Sequence, residues 1–299
     1  MRHLEVCGIL LLDKPLGLSS NGALQRVKRL LRADKAGHVG SLDPLASGML
    51  PICLGEATKI AGDILSGRKR YRFTVALGNR TATGDVEGAV VETLPVPQFD
   101  VATLEGVLQR FRGRTMQIPP MYSALKRDGQ PLYKLARAGI EVERAPREID
   151  LSELIVIGRD AGRQLELEAL CSKGTYIRTL AEDIARALGT CGHVAQLRRL
   201  FVEPFENEAL QTLESVTERA QRAELPSLIS PDRAIPHLAA VELSAAATAR
   251  VLHGQSAAVA PDVAPGRVRL YDATGCFFGI GEADGFGVVH PRRLFVAAG

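Results

Sequence analysis

The chain has 299 residues, 46% hydrophobic and 24% charged, a balance that excludes disordered, fibrous and disulfide-stapled classes and leaves room for two domains. Its net charge of +3 permits a nucleic-acid partner without arguing for one. Residues 231–299 hold six Lys/Arg and six Asp/Glu, so the whole excess falls in residues 1–230. The five cysteines (Cys7, Cys53, Cys171, Cys191, Cys276) form no CxxC pair, and each is expected to be a small buried hydrophobe in a reducing cytosol. Six dispersed histidines give no metal spacing, and neither a P-loop nor a GxGxxG after a strand is present. The N-terminal apolar run is too short for a secretory or membrane segment, and no other run approaches ~18 apolar residues, so the expectation is a soluble cytoplasmic protein without metal.

In chain order, residues 9–12 read as a short buried strand ending in the Pro15–Gly17 turn. Ser19 or Ser20 offers an N-cap for a helix to about residue 31, with Leu24, Val27, Leu30 and Leu31 on one face and Arg26, Lys28, Arg29 and Arg32 on the other. A second helix is expected over residues 56–65, stopped at Gly67. Strand patterns follow from residue 68 to 77 and over 89–92, separated by a polar loop at 78–87. Residues 101–110 read as a helix, 117–124 as a proline-stiffened extended segment, 126–129 as a turn and 132–138 as a short helix. Residues 147–157 and 164–172 read as strands, the second alternating Leu165, Leu167 and Ala169 with Glu166 and Glu168. Gly174-Thr175 introduces a helix with Ile177, Leu180, Ile184 and Leu188 on one face, closed by Gly189. Composition turns loop-like from Pro226 to Pro236, which places a boundary near residue 230. The remainder reads as small and β-rich, with strands in 268–282 and a last one over 288–296.

Residues 37–48 stand apart. They hold three glycines and Pro44, with His38 and Asp43 as the only ionisable side chains, and an apolar run follows at once. This is neither an amphipathic helix nor a regular strand. A carboxylate on a bent loop anchored to a core suits catalysis, and the same residues also suit an ordinary turn in which Asp43 caps an amide. The run Arg68-Lys69-Arg70-Tyr71-Arg72 sets an aromatic inside positive charge, as a stackable anionic ligand such as RNA requires, though a strand-opening Tyr also serves packing.

In these segments the chain resembles the TruB family, the bacterial tRNA pseudouridine-55 synthases. Leu12-Asp13-Lys14-Pro15-Leu16-Gly17, residues 37–59, Lys69-Arg70-Tyr71, Pro119-Pro120-Met121-Tyr122-Ser123-Ala124, Cys171-Ser172-Lys173-Gly174-Thr175-Tyr176-Ile177-Arg178 and His193-Val194-Ala195-Gln196-Leu197-Arg198-Arg199-Leu200 match family motifs in family order. Val39, Ser41 and Ser47 stand where threonines are expected, small changes beside the aspartate. The resemblance implies an α/β (α+β) catalytic domain over residues 1–230 with a central mixed or antiparallel sheet, and a small β-rich PUA-like RNA-binding domain over 231–299. It further implies isomerisation of uridine 55 in the tRNA T-loop by base flipping, without cofactor, metal or obligate protein partner, by a monomer. Asp43, Tyr71 and Arg178 would be catalytic, with Arg178 keeping Asp43 ionised. His38, Tyr176, Leu197, Lys14, Lys69 and Arg70 would bind the substrate. Three rivals remain: an RNA-folding module without catalysis, a synthase working inside a guide-RNA complex, and a small-molecule α/β enzyme.

Overall fold

The computed structural model describes residues 6–295 except residues 124, 128, 161 and 162. The start of the N-terminal run, Ala124, Asp128 of the expected turn and Val296 of the expected last strand lie outside the described residues. The chain opens with β1 (Gly8–Lys14), α1 (Ser20–Leu30), β2 (Ala36–His38), β3 (Ala46–Leu54), a 3-10 turn (Gly55–Ile60), α2 (Ala61–Ser66), β4 (Lys69–Leu77), β5 (Asn79–Thr81) and β6 (Val90–Thr93). Next come α3 (Val101–Gln109), β7 (Gly113–Gln117), β8 (Lys126–Arg127), β9 (Gln130–Pro131), α4 (Leu132–Arg137), β10 (Arg147–Arg159), β11 (Gln164–Cys171) and α5 (Ile177–Ala187). They are followed by β12 (Gly192–Val202), β13 (Gln211–Thr212) and α6 (Leu213–Gln221). The last part holds a 3-10 turn (Pro231–Ala234), β14 (Ala239–Glu242), α7 (Ala245–Leu252), β15 (Ala257–Ala258), β16 (Gly266–Tyr271), β17 (Phe277–Ala283) and β18 (Val288–Leu294).

The larger sheet runs β13-β1-β3-β12-β4-β11-β10-β7, with β2 added on β3. It is mixed: β12 lies parallel to β3 and antiparallel to β4, and β1 lies parallel to β13. The run Ile9–Leu12 of β1 is continuously apolar because both faces of the strand are covered there. Leu10 and Leu12 join a cluster with Ala23, Leu24 and Val27 of α1, while Ile9 and Leu11 join a second cluster on the other face. Helix α1 begins where Ser19 accepts the Gly22 N–H at 3.0 Å, a side-chain N-cap. Helix α5 buries Ile177, Leu180, Ala181 and Ile184 on the sheet at helical spacing.

Several expectations need correction. The central strand β12 escapes a periodicity reading because Gln196, Arg198 and Arg199 interrupt its apolar residues, and its register shifts after Val194 and after Arg199. The helix expected over 56–65 divides into a 3-10 turn and the short α2. The 37–48 segment is strand at both ends, since β2 pairs with β3 and β3 begins at Ala46; the irregular part is 39–45. Cys7 and Cys276 are exposed, unlike the buried Cys53, Cys171 and Cys191.

The second sheet runs β14-β16-β17-β18-β15. It has its own apolar cluster around Val241, Val251, Leu270 and Val289. Ile280 of β17 packs the other way, into the cluster that holds Ile9, Leu11 and Ile60. Polar ties flank that contact: Lys59 donates to the Leu294 carbonyl at 2.5 Å, and Arg267 meets Asp63 at 2.7 Å. Among the described residues, no helix is long and apolar enough to cross a membrane.

Candidate active site

Asp43 sits on the bend between β2 and β3. Its carbonyl accepts the Ala46 N–H at 3.0 Å, and the neighbouring Pro44 carbonyl accepts the Gly17 N–H at 2.8 Å, which ties the bend to the turn after β1. Ser20, at the start of α1, bonds both the N–H and the carbonyl of Leu42, at 2.7 and 2.9 Å. Where β3 leaves the bend, the chain requires glycine. Gly48 has φ +101°, and a Cβ there would lie 2.1 Å from the Arg199 carbonyl oxygen on β12.

Arg178, in the first turn of α5, reaches the bend from the side. Its Nη2 lies 3.0 Å from Asp43 Oδ2 and its Nη1 3.5 Å from Asp85 Oδ2. The same guanidinium donates to the Thr83 carbonyl at 2.9 Å and the Tyr122 carbonyl at 2.7 Å. A planar fork filled on both sides has one orientation left to it. Arg178 is buried, whereas the Asp43 side chain remains 42% exposed, so the carboxylate faces outward from a fixed cation.

Burial pushes the Asp43 carboxyl above the usual carboxylate value. Arg178 and Lys14 pull it down, and Asp85 adds to the rise. Arg178 therefore opposes desolvation rather than dominating it. Burial likewise raises the phenols of Tyr71 and Tyr176. His38 is driven toward the neutral imidazole by burial and then by the charge of Arg199, and its buried Nδ1 has no hydrogen-bond partner among the described residues.

Tyr71 on β4 lies half-buried against the core on the face of Lys69 and Phe73, and Tyr176 forms the N-cap position of α5. Gln117 holds Tyr176 in place, donating to its carbonyl at 3.1 Å and accepting its N–H at 2.8 Å. Leu197 on β12 pairs with Ala46 on one side and Phe73 on the other, which sets it beside the end of the bend. Asp43, Arg178, Tyr71, Tyr176 and Leu197 thus lie about the bend, and His38 ends the strand that leads into it.

Three residues expected to bind the substrate do not present their charges to it. Lys14 is fully buried, its ammonium donating to the carbonyls of Leu18 at 2.6 Å and Pro15 at 2.9 Å, and desolvation lowers it to about 8. It acts on Asp43 only through its field. Lys69 is likewise buried and caps the carbonyls of Leu65 and Gly67 at 2.6 and 2.5 Å. Arg70 lies on the sheet face opposite Tyr71, because successive strand side chains alternate, and pairs with Glu153 at 2.7 Å. Arg68 and Arg72 pair with Glu203 and Glu168 at 3.2 and 2.6 Å. The basic run is mostly neutralised within the fold.

Sequence reading also missed residues. Asp85 appeared only as part of a polar loop; it is buried, accepts from the Thr83 hydroxyl at 2.6 Å, and shares Arg178 with Asp43. Tertiary contacts give Arg199 and Gln117 their place in the site. Two consecutive arginines flanked by Leu197 and Leu200 were the available signal for Arg199.

Comparison with known proteins shows the family. Residues 28–177 match the family model "TruB family pseudouridylate synthase (N terminal domain)". Residues 178–234 match "tRNA pseudouridylate synthase B C-terminal domain", and residues 239–295 match "Pseudouridine synthase II TruB, C-terminal". Proteins named tRNA pseudouridine synthase B are similar along nearly their whole length: that of Stutzerimonas stutzeri is 48% identical over 294 residues, covering 97% of this chain and 96% of that protein. That of Burkholderia mallei is 48% identical over 295 residues, covering 97% of each. Among solved structures, an H/ACA RNP bound to a substrate RNA containing 2'-deoxyuridine superposes with TM-score 0.72 at 23% identity, covering 97% of this chain and 85% of that one. A Cbf5-Nop10-Gar1 complex gives TM-score 0.70 at 25% identity with the same coverage. The chain therefore belongs to the TruB family, and is a pseudouridine synthase, an isomerase.

Proposed function

We propose that this pseudouridine synthase acts on tRNA and isomerises uridine 55 of the T-loop, with Asp43 as the reacting carboxylate. The observation that carries the reading is the outward-facing Asp43 carboxylate held 3.0 Å from Arg178 beside Tyr71 and Tyr176. In the reaction the bond from N1 to C1′ breaks, the uracil turns, C5 joins C1′, and the C5 proton leaves while N1 gains one. Attack on the ribose, attack on the base and proton abstraction each require the ionised form of Asp43, which Arg178 favours. A uridine stacked within a loop must first leave its stack, at a cost of a few kcal/mol. Tyr71 would stack on the flipped base with its hydroxyl as proton acceptor, and Tyr176 and Leu197 would wall the pocket. His38 Nδ1, buried and without a hydrogen-bond partner among the described residues, would find its partner in the RNA.

The supporting pattern extends beyond the pocket. We assign residues 1–230 to the catalytic domain and 231–299 to a PUA-like RNA-binding domain, whose sheet carries Arg267, Arg292 and Arg293. The synthase would work in the cytoplasm as a monomer without an obligate protein partner. Its nearly full-length 48% identity to the stand-alone-sized bacterial proteins supports that reading over the guide-RNA arrangement, whose structures share 23–25%.

The test is release of tritium from T-arm transcripts carrying 5-tritiated uridine. Wild type should release one equivalent, none when position 55 is replaced, while Asp43→Asn should release none and still bind the RNA. Release that persists in Asp43→Asn would remove the carboxylate from the chemistry.

A further inference from the structure

Arg199 is the largest fully buried side chain described, 1% exposed, and among the described residues it forms no ion pair with a carboxylate. That is a costly arrangement, since a buried charge is normally paired. Arg178, nearby, has two carboxylates. Arg199 has carbonyls instead: Nε donates to Met49 at 2.7 Å and Nη2 to Gly40 at 2.8 Å. Those two carbonyls stand on either side of Asp43 in the chain, Gly40 in the bend and Met49 on β3 beyond it. Across the sheet its Cα partner is Tyr71, and its positive charge acts on the Tyr71 phenol. The main chain of Arg199 also closes on Gly48, the tightest glycine of the bend.

We propose that Arg199 is a positioning residue for the reaction, tying the Asp43 bend at Gly40 to β3 at Met49 and setting an uncompensated positive charge beside Tyr71, its partner across the sheet. The inference rests on reading Asp43 and Tyr71 as the reacting pair. Cys171 of β11 and Asp43 of the bend also act on Tyr71. Cys171 is pushed up to about 11 and stays neutral. The Asp43 carboxylate opposes loss of the phenolic proton, and Arg199 eases it. The same charge acts on His38, Lys14 and Lys69, lowering each. An aspartate or glutamate partner for Arg199 would cancel this field, which gives a reason for its absence.

The experiment compares wild type, Arg199→Gln and Arg199→Lys by single-turnover tritium release, T-arm RNA affinity, and titration of Tyr71 by NMR of ring-13C tyrosine, assigned with Tyr71→Phe. Arg199→Gln should lose about 100-fold or more in rate, the scale of a misplaced acid–base group, with RNA Kd changed less than about 3-fold. Its Tyr71 midpoint should move to higher pH. Arg199→Lys should keep the midpoint near wild type but recover only part of the rate, because one ammonium lacks the guanidinium's fork that reaches both carbonyls. A wild-type rate in Arg199→Gln, or a lost rate with an unmoved Tyr71 midpoint, would overturn the proposal. If Arg199→Gln does not fold, Arg199→Lys decides: a full wild-type rate overturns the tie, a reduced rate with intact RNA binding supports it. The titration needs no RNA, so it judges Arg199 even if the wild type releases no tritium, an outcome that would instead refute the functional reading.

Discussion

At Asp43 desolvation and ion pairing act against each other, and desolvation is the larger effect. The carboxyl therefore titrates above its ordinary value, and the acid limb of kcat/KM should lie above the usual carboxylate range. Asp85 contributes to that rise and also draws on the same guanidinium. Asp85→Asn should accordingly move the acid limb to lower pH, since it removes a negative neighbour and frees Arg178 for Asp43. It should also lower kcat, because Arg178 loses one of the two carboxylates that aim it. The measurement is a pH profile of kcat/KM for both proteins; an acid limb that stays in place would show that Asp85 is electrically remote from Asp43. At this scale the sequence was informative about identity and poor about orientation. Lys14, Lys69 and Arg70 are the right residue types for RNA, but a lysine two residues along a strand from Tyr71 can still turn its ammonium onto carbonyls of its own fold.

Among elements, the meeting of β3 with β12 governs the bend. Gly48 accepts a main-chain approach that any side chain would block, and its φ of +101° is closed to ordinary residues. Gly48→Ala should destabilise the protein by more than about 2 kcal/mol, backbone strain of ~1–3 kcal/mol plus the overlap with Arg199. Urea unfolding would measure it, and a loss below about 0.5 kcal/mol, typical of a neutral surface change, would mean that β3 can slide past β12. Helices α1 and α5 were legible because their caps and 3.6-residue periodicity are local. Strand β12 was not legible, because its polar residues are satisfied by partners far along the chain: Arg198 by Asp13 at 2.8 Å and Arg199 by Met49 and Gly40.

For the whole molecule, the question is what holds the second sheet to the first. Apolar burial of Ile280 among Ile9, Leu11 and Ile60 competes with the partly exposed Arg267–Asp63 pair. Burial should win. Ile280→Ala is expected to cost about 2–4 kcal/mol, whereas Arg267→Ala should cost under about 1 kcal/mol, since exposed ion pairs are screened. Thermal unfolding of the two variants distinguishes them, and equal or reversed costs would make the contact ionic. RNA affinity should fall steeply with salt in wild type and Asp43→Asn alike, because neutralised phosphates release counterions regardless of chemistry at the base; a shallower slope in Asp43→Asn would tie phosphate contacts to the carboxylate.

The amino-acid sequence by itself determined the strand–helix alternation, the glycine-and-proline bend bearing Asp43, and the motif order that carries the family resemblance. These depend on neighbours a few residues away, through caps, turns and periodicity. The tertiary structure alone decided which charges face outward. Arg178 reaches Asp43 across 135 residues of chain and Asp85 across 93, Lys14 and Lys69 turn inward, and Arg199 closes on the bend from a strand whose pattern concealed it. The physical reason is that a buried charge is placed by its partners, and those partners are brought together only when the sheet forms.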